Sequence, residues 1–334
     1  MIQMVTISSA WERSHELGVY RRSVMADSME SRVLAFDVGG SHVAAAVCFA
    51  PDFRLGPVFS APHASVLTPD AFLDLLHDLG MKAGVGSEGK VGAMLAVPGP
   101  FDLRAGVSLM RHKLPYLYGV DLRRGLAERF SLQPTRVRFL NDADAYLLGE
   151  IGAGAARGFS RAVGLTLGTG IGSAFAIDGS LVTDGPGVPS GGEIWNLPYQ
   201  GGIVEDFVSS RAIAGNYERC TGKKREVVDL AAISESDLAA QRAFTEFGQH
   251  LGAVIRTLLA EFHADVIVLG GGISRSAHLF LPAVRAEIGD TATQLRVSEL
   301  KDQAALVGCG VAAFRSVNGS PDPGKSTSVQ NAAV

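Results

Sequence analysis

Twice along this chain a β-rich run ends in a cluster of glycines, and a second β-rich run follows at once. Near residue 37 the run Arg32–Asp37 leads into Asp37-Val38-Gly39-Gly40-Ser41, and Val43–Phe49 follows. Near residue 168, Ala162–Leu167 leads into Gly168-Thr169-Gly170-Ile171-Gly172, and Ser173–Ile177 follows. Two runs joined by a short glycine turn read as a hairpin. Glycine there also lets backbone N–H groups face an anion with no Cβ in the way. Neither turn carries the Gly-Lys-Ser/Thr of a nucleotide P-loop, and neither opens a helix as in a dinucleotide-binding unit. Each turn alone also fits an ordinary hairpin. The pair predicts two similar halves that each present a phosphate-binding turn.

The rest of the chain alternates strands and helices, which gives an α/β class. The spacing predicts helices over 69–83, 122–130, 141–152 and 304–314, and buried strands over 91–97, 137–140 and 266–269. Leu238–His263 reads as one long amphipathic helix. Asp178-Gly179 reads as a hairpin turn. Residues 1–30 lack periodicity and read as an irregular leader, with Met25 and Met29 as alternative starts of translation. Residues 317–334 are rich in Ser, Pro, Gly and Asn and read as a disordered tail.

Charge and cysteine usage narrow the function classes. The net charge is -4, and no block of Lys and Arg marks a nucleic-acid or anionic-membrane surface. The three cysteines, Cys48, Cys220 and Cys309, are scattered without CxxC spacing. That argues for a reducing, cytoplasmic setting rather than a disulfide framework. No uncharged apolar stretch reaches transmembrane length. His42, His112, His250 and His263 form no metal-ligand spacing and read as core or surface histidines.

Between the two glycine turns lies Asn141-Asp142-Ala143-Asp144-Ala145, directly after a strand. A carboxylate opening a helix at a strand end is placed for proton abstraction, and phosphoryl transfer to an alcohol needs such a base. Asp142 is the candidate; the competing reading is that Asn141 or Asp142 is only a helix N-cap. Asp37, at the end of the first strand, is placed to orient Mg²⁺ through water. Glu193, Asn196 and Glu205 lie in or beside a turn-rich stretch and could bind hydroxyls, or be solvated loop polarity. Gly270-Gly271-Gly272 follows a buried strand and could admit a nucleotide base or ribose. Trp195–Tyr199 reads as a sugar-stacking wall or a packed loop.

In this order the motifs resemble those of the ROK family (repressors, open reading frames and kinases), especially its glucokinase-like members, from about Arg32 to Ser316. Phe36–Ser41, Pro98-Gly99-Pro100, Asn141–Ala145 with Gly149-Glu150, Gly168–Gly172 and Gly270–Ser274 carry the resemblance. It implies a two-domain actin-like ATPase (ribonuclease H-like) fold with an interdomain cleft. The smaller domain would comprise 31–140 plus 302–316 and the larger 141–301. It further implies Mg-ATP held by Asp37, Gly39, Gly40, Ser41, Gly168, Thr169, Gly170, Gly172, Gly271 and Gly272. A sugar would be held by Asn141, Glu193, Asn196, Glu205 and Gly99, with Asp142 as general base. Related kinases are commonly homodimers, and polyphosphate replaces ATP in some.

Two departures from the family pattern stand out. Tyr199-Gln200-Gly201-Gly202-Ile203 occupies the place of the family's cysteine cluster, so no structural zinc is expected. Asn196 replaces the family histidine, which leaves the sugar open. Glucose is the first expectation, with an N-acetylhexosamine, mannose or a cyclitol as alternatives. The competing classes are a sugar-responsive regulator and a catalytically silent sugar binder. The roughly 30 irregular residues before Asp37 are too few for a winged-helix domain, and the intact Asp142 and glycine turns argue against a silent binder.

Overall fold

A computed structural model describes residues 32–84, 91–111 and 113–317. The expected leader, and the expected tail beyond Val317, lie outside these residues. The first sheet contains β1 (Arg32–Val38), β2 (His42–Phe49), β3 (Arg54–Leu55), β4 (Phe59–Pro62), β5 (Gly92–Val97) and β6 (Val137–Asn141). Its order is β3-β2-β1-β5-β6, with β4 also paired to β2. β1 and β2 form the predicted antiparallel hairpin, and β1, β5 and β6 run parallel. The second sheet repeats the plan. Its strands are β7 (Arg161–Leu167), β8 (Ile171–Ile177), β9 (Ser180–Val182), β10 (Val266–Gly270) and β11 (Gln294–Val297), in the order β9-β8-β7-β10-β11. Here β7 and β8 form the hairpin, and β7, β10 and β11 run parallel.

Strand periodicity sorts side chains onto the two faces of each sheet. On β1, Leu34, Phe36 and Val38 join the core under α1 (Pro69–Lys82) and α2 (Leu122–Arg129). Val33 and Ala35 point the other way. They pack with Leu306, Cys309 and Ala313 of α8, the last helix (Ala304–Val317). The helix α3 (Asp142–Ala153) lies against α8 and also contacts both sheets. Its Ala145 and Leu148 join the first-sheet core, while Ala143, Tyr146, Leu147 and Ile151 pack with β7, β8 and β10. The outer face of the second sheet is covered by α4 (Ser210–Thr221), α5 (Val227–Ile233), α6 (Leu238–Leu258) and α7 (Ala277–Ile288).

The α3–α8 contact needs glycine at two points. A Cβ on Gly149 would run into the Ala304 carbonyl, and one on Gly308 into the Ala145 carbonyl. Glu150, one residue on, is fully buried. Its carboxylate accepts from the Ala155 N–H at 2.7 Å, the Ser298 hydroxyl at 2.5 Å and the Leu300 N–H at 3.2 Å. This ties the end of α3 to the segment that leads into α8.

One helix boundary departs from the expectation. The helix expected over 238–263 stops at Leu258, a 3-10 turn covers Ala260–Phe262, and His263 takes a left-handed backbone at φ 50°. The apolar rhythm continues to Phe262 because that ring packs edge-on against Phe175 at 5.0 Å. The pattern therefore marks burial, and the chain has already left the helix. The short helices over 210–221, 227–233 and 277–288 were not expected.

Candidate functional site

The parallel strands of the first sheet bring three chain segments to one edge. Their register pairs Asp37 with Ala96 and Val97 with Asn141. The first glycine turn, Pro98-Gly99-Pro100 and the start of α3 therefore lie side by side, at the carboxyl ends of the strands. That is where open α/β sheets bind ligands. In the second sheet β10 follows β7 in parallel with Gly270 opposite Thr166, so Gly168–Gly170 and Gly270–Gly272 share an edge.

The first turn is closed by the Gly39 N–H donating to the His42 carbonyl at 2.9 Å. Gly40 and Ser41 are exposed, and the space where a Gly40 Cβ would lie is empty. His63 braces this turn: its Nε2 lies 2.9 Å from the Gly39 carbonyl, and its N–H donates to Ser41 O at 3.0 Å. In the second turn Gly168 N–H donates to Gly170 O at 2.9 Å, and Ser210 N–H donates to Gly168 O at 2.8 Å. Gly168 is also open, whereas a Cβ on Gly170 would strike the Glu205 carboxylate. Gly271 has φ +79°, and a Cβ there would run into the Leu167 backbone; Gly272 is open. The glycines thus divide. Gly40, Gly168, Gly272 and Gly99 leave room for a ligand, and Gly170 and Gly271 are demanded by packing. Such open backbone fits a nucleotide polyphosphate.

Asn141 caps α3, its Oδ1 accepting from Ala143 N–H at 2.9 Å and Asp144 N–H at 3.4 Å. The N-cap reading therefore holds for Asn141, which leaves Asp142 as the first helical residue. The Asp142 carboxylate accepts from Ala143 N–H at 2.9 Å. Burial raises its pKa, Glu193 adds to the rise, and the Lys113 ammonium opposes it. Asp37 is pushed up to about 7 by burial, then by the charges of Asp142 and Asp302. Asp144 is likewise pushed up to about 7 by burial, then by Asp142 and Glu193. Residues far apart in sequence thus share one electrostatic field, in which a carboxylate such as Asp37 is short of a cation. That suits a nearby Mg²⁺. Among the described residues no group of three or more His, Cys, Asp or Glu is arranged to hold a metal ion.

The stretch after Glu193 is fixed at several points. Ser173 Oγ donates to Gly192 O at 2.6 Å and accepts from Ile194 N–H at 3.1 Å. Trp195 Nε1 donates to the Glu193 carboxylate at 3.0 Å. Trp195 and Asn196 are both exposed. Glu205 lies against the second glycine turn. It accepts from Ile171 N–H at 3.3 Å and pairs with Arg211 at 2.7 Å. Its carboxylate therefore braces that turn, and a sugar would have to share it with Arg211. A cavity of about 390 Å³ lies beside Glu205, with Arg211, Asn216, Glu246 and His250 in its lining.

Sequence reasoning passed over His63, Lys113, Asp144, Asp302 and Arg211. Asp144 stands inside the Asn141–Ala145 run, and its paired-acid spacing with Asp142 is a readable signal. The others are single residues in unremarkable contexts.

Comparison with known proteins follows this geometry. The ROK family model matches residues 33–313. An N-acetyl-D-glucosamine kinase of Pectobacterium carotovorum is 28% identical over 272 residues, 73% of this chain and 85% of the relative. A ROK hexokinase structure from Thermus thermophilus superposes with a TM-score of 0.70 at 27% identity, covering 86% of this chain and 100% of that one. A ROK family glucokinase from Streptomyces griseus, solved with glucose and AMPPNP, gives a TM-score of 0.69 at 23% identity. It covers 85% of this chain and 99% of that one, and at this identity it speaks to the fold.

Proposed function

The chain belongs to the ROK family, and from that premise we propose that it is an ATP-dependent sugar kinase that uses Asp142 as general base. The observation that carries the reading is the place of Asp142. It opens α3 at the edge shared with the first glycine turn, within the electrostatic reach of both Asp37 and Glu193. The relatives named as an N-acetyl-D-glucosamine kinase and a hexokinase support a sugar acceptor.

In this reading the acceptor hydroxyl faces Asp142, and Asn141, Glu193, Asn196, Glu205 and Gly99 orient the sugar. Asp142 takes the hydroxyl proton as the sugar oxygen attacks the γ-phosphorus of ATP, and ADP leaves. Gly39, Gly40 and Ser41 of one turn and Gly168, Thr169, Gly170 and Gly172 of the other hold the polyphosphate, with Gly271 and Gly272 toward the nucleoside. Asp37 would hold Mg²⁺ through water, and that ion supplies charge neutralisation on the phosphates. Most of the catalytic effect is positioning and electrostatic stabilisation. A raised Asp142 pKa makes the carboxylate a better proton acceptor once it is ionised.

Glucose is the first acceptor we propose, with N-acetylhexosamines, mannose and cyclitols as alternatives. The test is Mg-ATP-dependent phosphorylation across that panel, with polyphosphate as a second donor. Turnover of a panel member is expected. Asp142→Asn should cut kcat by about 10²–10⁴-fold and leave the ATP dissociation constant within about twofold. Full activity in that variant would remove Asp142 as the base. Acceptor binding without turnover in the wild type would replace the kinase with a sugar sensor.

A further inference from the structure

The segment that carries Glu193 and Asn196 ends in a small hairpin, Pro198–Tyr199 paired with Gly202–Ile203. Backbone bonds make 193–205 one unit: Val204 N–H donates to Leu197 O at 3.0 Å, and Glu205 N–H donates to Trp195 O at 3.0 Å. Side-chain hydrogen bonds join that unit to the rest of the molecule at its start, at the hairpin and, through Glu205 on Ile171 and Arg211, at its end. At its start, Ser173 of β8 holds Gly192 and Ile194. At the hairpin, the Tyr199 hydroxyl meets His250 Nδ1 of α6 at 3.0 Å, across 51 positions of chain.

The hairpin contact takes its direction from the His250 tautomer: with the ring proton on Nε2, the Tyr199 hydroxyl donates to Nδ1, while its oxygen also accepts from Gln200 Nε2 at 3.3 Å. The rings of Tyr199, Phe207 and His250 pack around this bond. Tyr199 lies edge-on to Phe207 at 5.2 Å and to His250 at 5.7 Å, and Phe207 lies 5.0 Å from His250. Phe207 and His250 also line the cavity of about 390 Å³ beside Glu205. This corner thus combines ring packing with one directional contact beside an open cavity. Burial lowers the His250 pKa, partly offset by Glu246, and burial raises the Tyr199 pKa. Both shifts keep the neutral partners that this bond requires.

We propose that the Tyr199–His250 pair is a clasp that positions the acceptor-binding segment 193–205. His250 is then a positioning residue for acceptor affinity, although it lies on a helix of the outer layer and touches no proposed substrate group. The inference rests on the kinase reading for the identity of the ligand, but the clasp itself is read from geometry. Loss of the clasp should loosen Glu193 and Asn196 together, and leave both glycine turns and Asp142 in place.

The test measures KM for acceptor and for ATP, kcat, calorimetric acceptor affinity and melting temperature in Tyr199→Phe, His250→Leu and His250→Asn. Tyr199→Phe keeps the ring contacts and removes the hydroxyl. It should weaken acceptor binding about fivefold, the scale of one hydrogen bond, with kcat and KM for ATP within about twofold. His250→Leu should match it, and the double variant should be no worse than either. His250→Asn places an amide oxygen near the Nδ1 position and should restore most of the affinity. Unchanged acceptor affinity in both Tyr199→Phe and His250→Leu would overturn the proposal. So would equal weakening of acceptor and ATP that follows a fall in melting temperature, since that is plain destabilisation. Failure of the kinase reading shows separately, as absent turnover in the wild type, and calorimetry then still reads the clasp. A wild type that binds no acceptor of the panel would sink both.

Discussion

Asp144 shows how burial and neighbouring charge can oppose what a residue's place in a helix favours. It lies in the first turn of α3, where the helix dipole ordinarily favours an ionised carboxylate. Its pKa nevertheless rises from 3.8 to about 7, because burial and the charges of Asp142 and Glu193 outweigh that effect. Asp37 rises to about 7 for related reasons. A carboxyl with a folded-state pKa above its unfolded value favours folding while it stays protonated. That contribution is complete below about pH 4 and is lost as pH rises through about 7. Asp144→Asn removes the charge and keeps the shape. The variant should therefore melt roughly 5 °C above the wild type at pH 8, with the gap closing toward pH 4. A gap independent of pH, read by thermal melts across that range, would mean that Asp144 does not titrate there. The Asn-Asp-Ala-Asp run was legible as a candidate site from its residues alone. The direction of the Asp144 shift was not, because its second charged neighbour, Glu193, stands 49 positions away.

At the scale of elements, the α3–α8 pair carries the connection between the two sheets. Both helices are rich in small residues, and α3 is buried from Ala143 to Ile151, with Asp144 half-buried. Their close approach depends on the absence of side chains at Gly149 and Gly308. Gly308→Ala would push a methyl group into the Ala145 carbonyl, an obstacle of rigid backbone. We expect a loss of about 3 kcal/mol, the upper range for overpacking, measured as a lower urea midpoint with an unchanged m-value. A neutral outcome would show that the helices can separate freely. Several elements were readable from the sequence because local rules decide them. Thr68, Asn141 and Asp237 each cap a helix with a side-chain oxygen. The helix Ala277–Ile288 was not readable, because Pro282 lies inside it. Burial of Phe280 and Val284 outweighs the hydrogen bond that the proline forfeits. The end of α6 was misplaced for a related reason: apolar rhythm reports burial, and burial continued through the 3-10 turn to Phe262.

For the whole molecule, two sheets of like plan present glycine turns at the carboxyl ends of their parallel strands, with α3 and α8 between them. If the halves close over substrates, addition of acceptor and a non-hydrolysable ATP analogue should lower the radius of gyration in small-angle scattering. An unchanged radius would place acceptor selection in local movements of 193–205. Much of this plan was present in the sequence. The strand–glycine turn–strand units, the α/β alternation and the cap at Asn141 depend on backbone sterics and hydrogen bonds between near neighbours, which the residue types themselves fix. Only the tertiary structure decided which distant groups act together. It set Asp37 in the field of Asp142 and Asp302, divided the glycines between ligand space and packing, drew Glu205 to Ile171 and Arg211, and joined Tyr199 to His250. The reason is physical: charge coupling and hydrogen bonding depend on distance through space, and packing of the whole chain sets that distance.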